Sequence, residues 1–158
     1  MFKCFPAVTL LFTISLSLGL ASSAMANDKM TQAKLEGIIT AMADSSKGEG
    51  GIIRFSFDGV PMMLMTSAPH NRMRVVAPVT EYAKLTPAQI MAMMESNYHK
   101  ALDARYAVSD GVVYAAYIHP LQELTQGQLE LSVIQVATLV RTFGTEYTSG
   151  VLSFSGKN

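Results

Sequence analysis

The segment Leu85 to Phe143, LTPAQIMAMMESNYHKALDARYAVSDGVVYAAYIHPLQELTQGQLELSVIQVATLVRTF, decides the fold. It carries the same helix-start grammar twice, in Leu85-Thr86-Pro87-Ala88-Gln89-Ile90 and in Leu124-Thr125-Gln126-Gly127-Gln128-Leu129. In each, the Thr hydroxyl can cap the backbone N–H three residues on, and the Gln there can reach back to the Thr N–H. The Leu before Thr can staple onto Ile90 or Leu129. Pro87 takes the first helical position, where a missing N–H costs nothing. Ile90, Met93, Met94, Asn97, Tyr98 and Ala101 then fall on one face of a helix running to about Lys100. Leu129, Val133, Val136, Ala137 and Val140 form the stripe of the next helix, which ends near Phe143-Gly144. Between the two helices, Ala104 to Ser109 and Val112 to His119 flank Asp110-Gly111, a two-residue hairpin signal.

Working back toward the N-terminus, residues 29–43 read as a helix, with Leu35, Ile38, Ile39 and Met42 at helical spacing. The stretch Ser45-Ser46-Lys47-Gly48-Glu49-Gly50-Gly51 breaks it and reads as a loop. Ile52 to Phe57 alternates, with Ile53, Phe55 and Phe57 on one side and Arg54 and Ser56 on the other. Asp58-Gly59 turns the chain into a return strand from Val60 to Thr66, with Pro61 at its start or on an edge. Ala68-Pro69-His70-Asn71 makes a further turn. Arg72 to Val79 is a third strand, with Met73, Val75 and Ala77 on one face. Val151 to Phe154 reads as a final strand or a docked tail. The order α-β-β-β-α-β-β-α gives an α+β class: a single two-layer domain, mostly antiparallel sheet with helices packed on a face.

The first 26 residues have a different character. Lys3, the apolar run Val8 to Leu20 and Ala24-Met25-Ala26 form the pattern of a secretory signal peptide. Residues 27–158 are then one domain, expected to be periplasmic or secreted, with no stable membrane span after cleavage because the apolar run is short. Cys4 is the only cysteine, so residues 27–158 have no thiol for a disulfide, a nucleophile or a metal. The 12 Lys and Arg balance the 12 Asp and Glu, and no basic run marks a nucleic-acid binder.

Few residues announce chemistry. His70, His99 and His119 are far apart in sequence, without the paired spacing of a zinc site. No G-x-S-x-G elbow, carboxylate pair, G-x-G-x-x-G or phosphate loop occurs. No catalytic residue, metal ligand or cofactor is assigned, and the chain is not expected to be an enzyme. The methionines stand out: Met62-Met63-Leu64-Met65, Met73 and Met91-Ala92-Met93-Met94. Met63, Met65, Met73 and His70 would suit Cu(I) if they met. Methionine is more often a gap filler or an adaptable binding surface. By strand parity Met62 and Leu64 face one way and Met63 and Met65 the other, so both faces of that strand are apolar. Tyr114 and Tyr117 also point to opposite faces. These six residues are the candidate binding set, for a protein or peptide partner or for a second copy in a homodimer. A small exported enzyme with a site assembled only in three dimensions, and a periplasmic methionine-based copper-handling protein, are the alternatives.

The helix start LTPAQI, the hairpin ARYAVSDGVVYAAYIHPL and the helix LTQGQLELSVIQVATLV resemble the type III secretion chaperone fold and the related bacterial sensory-transduction-regulator (YbjN-like) domains. With the strands from Ile52 to Val79, the resemblance covers most of residues 27–158. It implies a small non-enzymatic binding domain, often dimeric. Secretion chaperones act in the cytosol and are commonly acidic, whereas this chain is neutral and carries an export-like leader. The resemblance transfers no catalytic or ligand residue.

Overall fold

The computed structural model describes residues 29–154, and the predicted signal peptide lies outside them. The chain runs α1 (Gln32–Met42), β1 (Ser45–Glu49), β2 (Ile52–Phe57), β3 (Val60–Ser67), β4 (Arg72–Glu81), a 3-10 turn (Tyr82–Lys84), α2 (Pro87–His99), β5 (Arg105–Ser109), β6 (Val112–His119) and α3 (Gln126–Arg141). The expected α+β order holds, with one short strand added at β1. All six strands join one antiparallel sheet in the order β1-β2-β3-β4-β6-β5.

Local chemistry accounts for most boundaries. Thr86 and Thr125 each form a complete capping box with Gln89 and Gln128, and the Thr31 hydroxyl caps α1 by accepting from the Lys34 N–H. Each box satisfies two N–H groups that a helix start leaves unpaired. At both hairpins the turn residues have positive φ: 51° and 73° at Asp58-Gly59, 49° and 75° at Asp110-Gly111. Two left-handed residues in succession match the twist of the flanking strands. Pro61 stands near the start of β3, and Pro78 at the irregularity where β4 shifts register against β6. Neither proline interrupts a continuous ladder.

The core lies between one face of the sheet and the helices α1 and α3. Ile53, Phe55, Met62, Leu64, Met73, Val75, Val113, Ala115 and Tyr117 are buried there against Leu35, Ile39, Leu129, Val133 and Val136. The expected stripes of α1 and α3 match this burial. The stripe expected for α2 is rotated: Met93 and Ser96 are buried, but Met94 and Tyr98 are exposed. This helix packs on β5 near one end of the sheet, so tertiary position and not its own periodicity selects the covered side.

Polar ties fix the sheet's β5 end. Asn97 brackets Tyr106, its side-chain oxygen accepting from the Tyr106 N–H at 2.7 Å and its amide donating to the Tyr106 carbonyl at 3.1 Å. The Gln135 side-chain oxygen accepts from the backbone N–H groups of Asp103 and Ala104, both at 3.1 Å. The segment Val151–Phe154 forms no strand; the Phe154 N–H donates to the His99 carbonyl at 2.9 Å while its ring stays exposed.

Candidate functional site

One face of the sheet is covered by α1 and α3; among the described residues the other carries no helix. Strand alternation assigns its residues. Register sets Lys47, Arg54, Met63, Val76, Ala116 and Arg105 in one row across all six strands. A second row holds Glu49, Ile52, Met65, Arg74 and Ile118. Tyr114 lies opposite Pro78 on β4 and Ala107 on β5. Ile52 and Ile118 are 49% and 57% exposed, large apolar side chains that a folded monomer usually keeps scattered.

A shallow open groove of about 570 Å³ runs over this face toward β1. Met63, Val76, Pro61, Pro78 and Tyr114 supply its apolar floor and wall, and Lys47 and Arg54 its cationic rim. The Ser45 and Ser56 hydroxyls, 3.2 Å apart, close one end.

The predicted binding set is divided by the sheet. Met63, Met65 and Tyr114 stand on the open face. Met62, Leu64 and Tyr117 are 4%, 0% and 6% exposed and belong to the core. Burial raises the pKa of the Tyr117 phenol, and the Asp103 carboxylate adds to the rise. Sequence reading missed Lys47, Arg54 and Val76. The first sits on a strand read as a loop, and the other two look unremarkable until register lines them up beside Met63.

The copper constellation does not assemble. Met73 is 1% exposed on the core face, opposite to Met63 and Met65, and the His70 ring is hydrogen-bonded to Ser67 in the turn before β4. Among the described residues no three His, Asp or Glu side chains converge to hold a metal ion. The three histidines are likewise apart: His70 in that turn, His99 at the end of α2 and His119 at the end of β6, where its ring stacks on Tyr117. No helix among the described residues is long and apolar enough to cross a membrane.

Comparison with known proteins identifies the fold. No family model matches the chain, and no curated protein matches it. Solved structures do. The HopA1-SchA chaperone-effector complex matches with a TM-score of 0.54 and 10% identity, over 69% of this chain and 88% of the other. The ExsC-ExsE complex matches with a TM-score of 0.54 and 18% identity, over 72% and 96%. The Yersinia pestis type III secretion chaperone SycH, solved with a stable fragment of YscM2, matches with a TM-score of 0.54 and 12% identity, over 72% and 98%. The chain has the type III secretion chaperone fold. One expectation is corrected by this result. Secretion chaperones are cytoplasmic, which conflicts with the periplasmic or secreted location inferred from residues 1–26, and that location is withdrawn.

Proposed function

We propose that this chain is a non-enzymatic protein-binding domain and that the sheet face opposite α1 and α3 holds the partner. The observation that carries the reading is the groove floored by Met63, Val76 and Tyr114 in a domain whose other sheet face is fully packed. Flexible, polarizable methionine side chains adapt to varied apolar partners. The similar solved structures, a chaperone-effector complex and a secretion chaperone with a bound protein fragment, support a binding role.

Self-association has a separate surface. Met91, Met94 and Tyr98 are 61%, 61% and 80% exposed on α2, and their i, i+3, i+7 spacing makes one stripe. A second copy would bury it and leave the open sheet face free. A photo-crosslinking residue at position 63, compared with one at position 134 on the outer side of α3, tests the docking assignment in extract of the producing host. Polypeptide adducts concentrated at position 63 are expected. Equal labelling at both positions, or none at 63, overturns the assignment.

A further inference from the structure

The open face has a charge as well as a shape. Lys47, Arg54, Arg72, Arg74 and Arg105 all stand on it, five of the 12 Lys and Arg in a chain with as many acids. The acids on its strands are Glu49 and Glu81, at its corners, and Glu81 is already paired with Lys84 at 3.0 Å. Asp44, beside the groove end, accepts from the Gly59 N–H. Arg72 donates to the Asn71 carbonyl, and Arg105 to the carbonyls of Leu102 and Ala104. The side chains of Lys47, Arg54 and Arg74 form no ion pair or hydrogen bond with any described residue. Lys47 and Arg54 are moreover direct cross-strand partners. Like charges directly opposite each other destabilise a strand pair unless an anion intervenes.

We infer that the occupant of this face is an acidic segment carrying apolar side chains, and not a second copy of this chain; the inference rests on the protein-binding reading above. Two copies related by a two-fold axis would set cations against cations, which opposes association. An acidic segment would instead neutralise the unpaired row. Its pattern follows from the sheet. Arg54 on β2 and Arg74 on β4 are two strands apart and two positions apart in register, about 12 Å on the diagonal at the usual spacings, which about four residues of extended chain span with both end side chains on one face. Met63 and Met65 on β3 lie between them. Carboxylates four residues apart, with an apolar side chain midway on the same face, meet both features.

The probe is a fluorescein-labelled peptide, Asp-Ser-Leu-Ser-Asp-Ser-Leu-Ser-Asp, followed by anisotropy beside the same peptide with Lys for each Asp and beside a labelled single-stranded oligothymidylate. The acidic peptide is expected to bind the intact chain, the lysine peptide not, and raising the salt from about 0.05 to 0.5 M to weaken binding about ten-fold. The double variant Arg54→Gln, Arg74→Gln is expected to lose about ten-fold in affinity while melting at the wild-type temperature, since both side chains are exposed and unbonded. Should that variant misfold, Lys47→Gln alone carries the same expectation at smaller size. Equal binding of the lysine peptide, insensitivity to the charge variants, or tighter binding of the oligothymidylate overturns the inference. If the two peptides bind equally and Met63→Ala weakens both, the protein-binding reading survives without its charge preference. If neither peptide binds while position 63 still gives more polypeptide adducts than position 134, only the charge inference falls; if neither binds and position 63 labels no more than position 134, both readings fall.

Discussion

Neighbouring methionines on β3 offer a direct test of which sheet face is packed. Met62 is 4% exposed within the core cluster, while Met63 stands half-buried on the open groove. Truncation to Ala removes the same three heavy atoms at both positions. At Met62 those atoms leave an enclosed void, for which core truncations of this kind cost about 2–5 kcal/mol. At Met63 the space opens to solvent, so no sealed cavity forms, and about 0.5–1 kcal/mol is expected. With a urea dependence of about 2 kcal/mol per molar for a domain of this size, Met62→Ala lowers the unfolding midpoint by about 1–2.5 M and Met63→Ala by no more than about 0.5 M. The assay is urea unfolding followed by circular dichroism, with the slopes compared to confirm an unchanged denatured state. Leu64→Ala and Met65→Ala should repeat the ordering one pleat along, because Leu64 is 0% exposed. Equal midpoint shifts within either pair, or a larger shift at Met63 than at Met62, would refute the assignment of faces.

Gln135→Met keeps the length of the side chain but strips the acceptor from two backbone N–H groups. Ala104 is fully buried and Asp103 can turn to water, so about 2–3 kcal/mol should be lost in the same unfolding assay. Tyr106 concerns alkaline pH. Burial is the main cause that raises its phenol well above the usual 10.0, the hydroxyl of Thr142 lowers it somewhat, and Tyr147 adds to the rise. The folded state therefore keeps a proton that the unfolded chain releases. The stability from this group is complete below about pH 10 and declines as the pH climbs toward the folded value. Tyr106→Phe should cost about 1 kcal/mol at neutral pH, through the lost 2.8 Å bond to the Leu139 carbonyl, and should flatten the loss of stability above pH 10. A wild-type stability profile that is level above pH 10, or a Phe variant as steep as wild type, would contradict this account.

What the sequence made legible was local chemistry. Thr86 and Thr125 declare their caps with a Gln three residues on, and Asp58-Gly59 and Asp110-Gly111 declare their turns, because each rule involves residues that touch within one turn of chain. Strand β1 escaped notice because Ser45-Ser46-Lys47-Gly48-Glu49 has no apolar face; its existence depends on backbone pairing with β2, a non-local partner. The rotation of α2 escaped for a related reason: Met93, Met94 and Tyr98 are equally apolar, and only the position of β5 decides which of them is covered. Parity separated Met62 and Leu64 from Met63 and Met65 and Tyr114 from Tyr117, but it could not say which side α1 and α3 would take. The cationic rim was invisible for a third reason, since Lys47, Arg54 and Arg74 come from three strands and meet only through register.

The edge strand also bears on how the protein stays dispersed. An unpaired strand edge offers a row of N–H and C=O groups to any passing chain, and the segment behind it, Ile52 to Phe57, is rich in β-formers. β1 stands in front as a guard. It is exposed throughout and charged at Lys47 and Glu49. Gly48, at a φ of 124°, bends it out of the flat geometry that edge-to-edge stacking needs. A Cβ there would lie 2.3 Å from the Ile52 carbonyl oxygen, so a side chain at this point would force the guard strand to shift. Five residues with no place in the core thus keep a methionine-lined sheet available to a chosen partner without making it adhesive to its own kind.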